Sequence, residues 1–115
     1  MNIDFTLAKS KHLAWRVRLM GFLNGQESLT TEQVTSHEQC DFGKWIYSTG
    51  LEKYGHLENM QNLEEAHRLL HDTIAKVVSL KNENKSDLAE KEYEQMKNVS
   101  ELLMQLIDTL EKQVS

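Results

Sequence analysis

There is no proline in this chain of 115 residues, and there are only five glycines. Proline breaks helices and glycine weakens them, so their scarcity points to long uninterrupted helices rather than many turns. No apolar run approaches the roughly 20 residues that a bilayer-crossing helix needs, so no membrane insertion is expected. The first residues, Met1-Asn2-Ile3-Asp4-Phe5, lack the basic-then-apolar layout of a secretory leader, and a cytoplasmic location is expected. Lysines and arginines are interspersed with acids, the net charge is −5, and no basic stripe stands out. Nucleic acid is therefore not an expected partner. With a single cysteine, Cys40, no intramolecular disulfide can form. In a reducing compartment a lone cysteine is a free thiol, a catalytic thiol or a metal ligand.

What is present suits one soluble globular domain over residues 1–115, with 39% hydrophobic and 27% charged residues. A first helix is expected from about Asp4 to Asn24. Ala8, His12, Trp15, Leu19, Phe22 and Leu23 recur at three- and four-residue steps and form one stripe, with Lys9, Lys11, Arg16 and Arg18 largely off it. Gly25 stands where a helix C-cap glycine belongs. His12 is a polar residue within an apolar stripe. It is either a core histidine bonded to a backbone carbonyl or a ligand.

Thr30 or Thr31 can cap a short turn through Glu32-Gln33-Val34. Ser36, with Gln39 three residues on, has the spacing of a capping box and opens a short amphipathic helix bearing Phe42, Trp45 and Ile46. Ser48-Thr49-Gly50 closes it. Cys40 falls in its first turn, where a helix N-terminus favours thiolate, although a small buried hydrophobe is the alternative reading. Gly43 inside a helix costs about 1 kcal/mol relative to alanine, which suggests a close approach there. Leu51 to His56 reads as a loop with its turn at Tyr54-Gly55.

A third helix is expected from about Leu57 to Lys81, with Met60, Leu63, His67, Leu70, His71, Ile74, Val77 and Val78 on its apolar face. Residues four apart share a helix face, so His67 and His71 present two imidazoles to one side, a spacing that suits a metal. Two ordinary packed histidines are the alternative. Asn82 to Lys85 is a polar turn and Ser86 a cap. The last helix runs from about Asp87 to Val114, with Met96, Val99, Leu103, Leu106 and Leu110 as a seam that Leu102 and Ile107 widen. The sum is an all-α antiparallel bundle of three long helices plus one or two short ones.

Packing such stripes together brings His12, His67 and His71 near Cys40. A thiolate with three imidazoles has full tetrahedral valence and suits zinc, though copper or nickel can also bind such ligands in vitro. Four filled positions leave none for a substrate, which argues for a structural or sensing site and against an enzyme, even with Glu64 and Glu65 nearby as potential bases. His37 reads as a neighbour of the site or a surface residue, and His56 as exposed.

Three pieces of the chain, His12-x-x-Trp15, Cys40-Asp41-Phe42-Gly43-Lys44-Trp45 and His67-x-x-x-His71, occur in the order and at separations like those of a known family. The chain resembles the chemoreceptor zinc-binding (CZB) domain over nearly its whole length. The resemblance implies that His12, Cys40, His67 and His71 bind one Zn2+ in a helical bundle. Many members sit at the C-terminal end of cytoplasmic bacterial chemoreceptors, and others precede a diguanylate cyclase. This sequence carries neither a methyl-accepting coiled coil nor a cyclase signature, so a free-standing version or an excised domain is expected. Gly25 to Val34 looks more like the chemoreceptor-linked members. Dimerisation of the cyclase-linked members implies a homodimer as partner, besides a chemoreceptor or other signalling protein. The expected function is a zinc-binding sensory module of chemotaxis-type signal transduction, responding to zinc or to an oxidant. The alternatives are a purely structural zinc domain and the regulatory domain of a diguanylate cyclase system.

Overall fold

The computed structural model describes residues 3–114 and is all-α, with no strand among the described residues. Helix α1 spans Phe5–Leu23. A 3-10 turn at Thr31–Gln33 follows. Then come α2 (Asp41–Trp45), a π turn (Ile46–Gly50) and α3 (Leu51–Tyr54) as one run. The two longest helices are α4 (Glu58–Asn82) and α5 (Ser86–Val114). No helix among these is long and apolar enough to cross a membrane.

The helix ends follow from local chemistry. The Asp4 carboxylate accepts from the Leu7 amide and caps α1. At its other end the Gln26 amide reaches back to the Gly21 carbonyl and Gly25 adopts φ +80°, a left-handed stop that costs glycine nothing. The same stop recurs after α4. There Asn84 takes φ 62° and the Lys85 amide bonds to the Leu80 carbonyl. The connection to α5 is therefore tight, and helix already begins at Ser86 rather than after it. Asn59 hydrogen-bonds to Gln113 and Lys76 pairs with Glu92, so α4 and α5 run in opposite directions.

Helix α1 lies along α5 in the same manner. Lys9 pairs with Asp108 near one end, and the Tyr93 hydroxyl donates to the Arg16 carbonyl near the other. Arg16, expected off the packed stripe, instead bridges the helices through Ser100 Oγ (3.3 Å) and the Lys97 carbonyl (3.0 Å). A long guanidinium reaches across a groove that a periodicity argument assigns to apolar side chains alone. At about 1.5 Å per residue the 29-residue α5 accounts for the 44 Å length of the molecule.

Three expectations need correction. Residues 51–54 are helix, and the expected turn is confined to Gly55 and His56. The short helix does not close at Ser48-Thr49-Gly50 but widens through the π turn and continues as α3 to Tyr54. The segment wraps Trp45, which is 2% exposed and packs against Phe5, Phe42 and Tyr54. The seam of α5 runs through Tyr93, Met96, Ser100, Leu103, Ile107 and Leu110, while Val99 and Leu106 are half-buried and Leu102 is exposed. The observed row keeps the alternating three- and four-residue steps of the expected seam, but its register passes through Ser100 and Ile107 in place of Val99 and Leu106. Finally, Trp15 is only half-buried, its ring covered by the Arg18 guanidinium at 4.8 Å.

Candidate metal centre

Three parts of the chain deliver four donor side chains to one point. His12 comes from the inner face of α1, His67 and His71 from consecutive turns of α4, and Cys40 from the residue preceding α2. His12 Nδ1 donates to the Ala8 carbonyl one turn earlier at 2.7 Å. His71 Nδ1 donates to the Thr35 carbonyl, also at 2.7 Å. A carbonyl only accepts, so each bond fixes the proton on Nδ1 and leaves the Nε2 lone pair free to face the cluster. The two readings of His12 thus hold together. It is a core histidine bonded to backbone through one nitrogen, and a candidate ligand through the other.

The donor atoms sit close enough to share one ion. Cys40 Sγ lies 3.2 Å from His67 Nε2 and 4.0 Å from His12 Nε2. The His67 and His12 Nε2 atoms are 3.1 Å apart. All four donor atoms fall within 4.8 Å of one another. Tetrahedral zinc, with bonds of about 2.0–2.1 Å to nitrogen and 2.3 Å to sulfur, holds its donors roughly 3.3–3.6 Å apart. The observed spacings bracket that range. His71 Nε2 is buried with no hydrogen-bond partner among the described residues. A buried lone pair aimed into a cluster of imidazoles and a thiol is costly unless a cation receives it. The donor set and this orphan nitrogen fit a zinc ion.

The electrostatics favour a neutral, ready set of imidazoles. Burial and the adjoining His71 and His12 rings push His67 down to about 2. Burial pushes His71 down to about 4 against the opposing pull of the Thr35 carbonyl. Burial likewise lowers His12. The Cys40 thiol behaves differently from its expected tendency. Burial pushes it up from its ordinary value, and the Gly43 and Phe42 amides that pull it down do not offset this. A cation at the cluster would supply the charge that reverses this balance and favours the Cys40 thiolate.

The Cys40-to-Trp45 motif has a role for nearly every residue. Cys40 is not in the first turn of the helix but is its N-cap, with Sγ accepting from the Gly43 amide at 3.2 Å. Ser36 caps only the preceding turn, its hydroxyl accepting from the Gln39 amide. Phe42 contacts both His12 and His67 edge-on, with ring centroids 5.7 and 5.4 Å away, and stacks on Trp45 behind. Gly43 is where the close approach expected from its helix cost occurs. A Cβ there would fall on the His37 carbonyl, with the His67 ring 3.4 Å away. Lys44 is exposed.

His37 touches this arrangement through its backbone, while its ring lies half-buried against Tyr47 and outside the four-donor cluster. His56 is exposed. The Thr35 carbonyl that orients His71 carried no signal in the sequence, because any residue supplies a carbonyl. The Ala8 carbonyl was readable in principle as the atom one turn before His12.

Among curated proteins and among solved structures, no match to this chain is found. The family model described as the chemoreceptor zinc-binding domain matches residues 12–78. The match opens on His12 and takes in Cys40, His67 and His71, the residues whose donors converge. The chain belongs to the chemoreceptor zinc-binding domain family.

Proposed function

We propose that this domain is a cytoplasmic zinc-binding sensory module, in which His12, Cys40, His67 and His71 hold one zinc ion at the centre of an antiparallel helical bundle. The observation that carries the reading is the convergence of four donors from three separate chain segments, two of them pre-oriented by backbone carbonyls. When bound, zinc would supply the cross-link that makes Cys40 part of the core. The chain's own residues do the rest. His12 and His67 belong to long helices packed in the interior, so they stay in place. Cys40 stands at the end of a segment from Gly25 that is largely irregular, and it is the donor able to leave.

The input is a change in available zinc or an oxidant. Hypochlorous acid converts a thiolate to sulfenic acid with release of chloride, and a sulfenic acid is a far poorer ligand than a thiolate. Cys40 would then release the 35–40 segment and α2, and a neighbouring signalling protein or a second copy of the domain would respond. Chemotaxis-type receptors are the proposed setting, with a cyclase system as the alternative. Binding rather than catalysis is the proposed activity.

A second reading is that zinc only holds the helices together. It is favoured by the 0–5% exposure of the three histidines, which places the site in the core. Circular dichroism before and after a strong chelator separates the two. The sensory reading predicts helicity largely kept, and a melt of the helices would establish the structural one. In the same experiment Cys40→Ser should abolish oxidant-triggered zinc release. Undiminished release from that variant would remove the redox branch.

A further inference from the structure

A cavity of about 400 Å³ opens between the first half of α1 and the segment around Cys40. His12, Cys40 and His71 line it, and His67 does not. His67 is fully buried, with Phe42 and Gly43 packed against its ring. The cavity therefore borders three of the four donor residues from one side.

We propose that this cavity is the passage by which a divalent cation reaches and leaves the cluster, and that Leu7 and the Lys11–Asp41 pair at its mouth set the rate of passage. The inference rests on the metal-binding reading above and adds a route and its controlling residues. The charge at the opening suits a cation. Asp4 and Asp41 face the single ammonium of Lys11 there, leaving one negative charge over. Lys11 and Asp41 are the immediate chain neighbours of His12 and Cys40, and their 3.2 Å contact joins α1 to the start of α2 beside the donors. Their side chains are 55% and 77% exposed, so the contact adds little to stability and parts at low cost. Once parted, Asp41 offers carboxylate oxygens to a hydrated ion within one residue of the Cys40 thiol. Leu7 is half-exposed at the opening, and a larger side chain there would narrow it.

The test is stopped-flow uptake of Co2+ by the chelator-treated, reduced protein, read in the thiolate-to-cobalt charge-transfer band that reports the Cys40 bond. Leu7→Trp should slow uptake several-fold, with Leu7→Phe as a milder step in the same direction. Lys11→Glu should quicken it by roughly three- to tenfold at low ionic strength, as steering by a charged cleft does. That gain should fade near 1 M salt, where charges beyond about 3 Å are screened. Leu69→Trp, at an exposed α4 position outside the cavity lining, should leave the rate unchanged. Each variant should bind as much Co2+ at saturation as the parent, which shows that the site itself is intact. If Leu7→Trp, Leu7→Phe and Lys11→Glu all take up Co2+ within about twofold of the parent rate at low salt, the passage is elsewhere. If the parent protein gives no charge-transfer band at all, the metal-centre reading falls, and this inference with it.

Discussion

At the scale of single residues, Gly43 carries more of the site than its lack of a side chain suggests. Its amide donates to Cys40 Sγ, and the space a Cβ would take is filled by the His37 carbonyl. Gly43→Ala must displace the loop that bears Cys40 or tilt α2. We expect a loss of about 1–3 kcal/mol, the usual cost of overpacking, and weaker metal binding with it. Thermal unfolding with and without added zinc measures both. A variant as stable as the parent, and equally stabilised by zinc, would show that the backbone yields easily there. The expectation of a close approach came from the cost of glycine in a helix, and it named the position correctly. What sequence could not say is that the neighbour is a backbone atom six residues upstream. The convergence of His12, His67 and His71 was legible because histidines on apolar helix stripes are unusual on physical grounds, and Cys40 joined them as the lone cysteine at the start of the short helix. The state of Cys40 was not, because a helix start and burial push a thiol in opposite directions, and only the fold reveals how deep the sulfur lies.

At the scale of elements, the proposed sensory function assigns the response to the run α2–π turn–α3. It is short, and it is tied to the rest by the buried Phe42, Trp45 and Ile46, by the Tyr47–Glu64 hydrogen bond and by the site. Hydrogen exchange should show this directly. Chelation should raise exchange across residues 36–54 while the interiors of α4 and α5 stay protected. Uniform loss of protection would mean that the metal stabilises the whole domain as one unit. Trp45 is one anchor of this run. Trp45→Ala should destabilise the domain by about 3–5 kcal/mol, read by denaturant unfolding followed by far-ultraviolet circular dichroism. The sequence located α1, α4 and α5 to within a few residues, since their stripes persist for five turns or more. It lost the π turn and α3. Runs of four or five residues carry too little periodicity, and what holds them is a tryptophan ring and its neighbours.

At the scale of the whole molecule, three buried neutral histidines make the metal-free protein sensitive to acid. In the unfolded chain a histidine takes its proton near 6.5, whereas folded His71 does so at about 4 and His67 at about 2. Between these values the unfolded state binds more protons than the folded one. Stability is therefore complete above about pH 6.5 and declines as the pH falls through 4 toward 2. Unfolding midpoints of chelator-treated protein between pH 7 and pH 4 should fall steadily, and His67→Leu should flatten the curve. A midpoint independent of pH over that span would mean that the imidazoles reach water. Zinc bound to the folded chain alone would add to the same balance, about 2.7 kcal/mol at a hundred times its dissociation constant.

The central claim is that His12, Cys40, His67 and His71 together hold one zinc ion. Elemental analysis tests it most directly, on protein purified without added metal and on Cys40→Ala beside it. The account predicts about one zinc per chain in the parent and much less in the variant, as a four-donor site that loses its thiolate should behave. A parent protein free of zinc, or a variant that retains it in full, would contradict the claim.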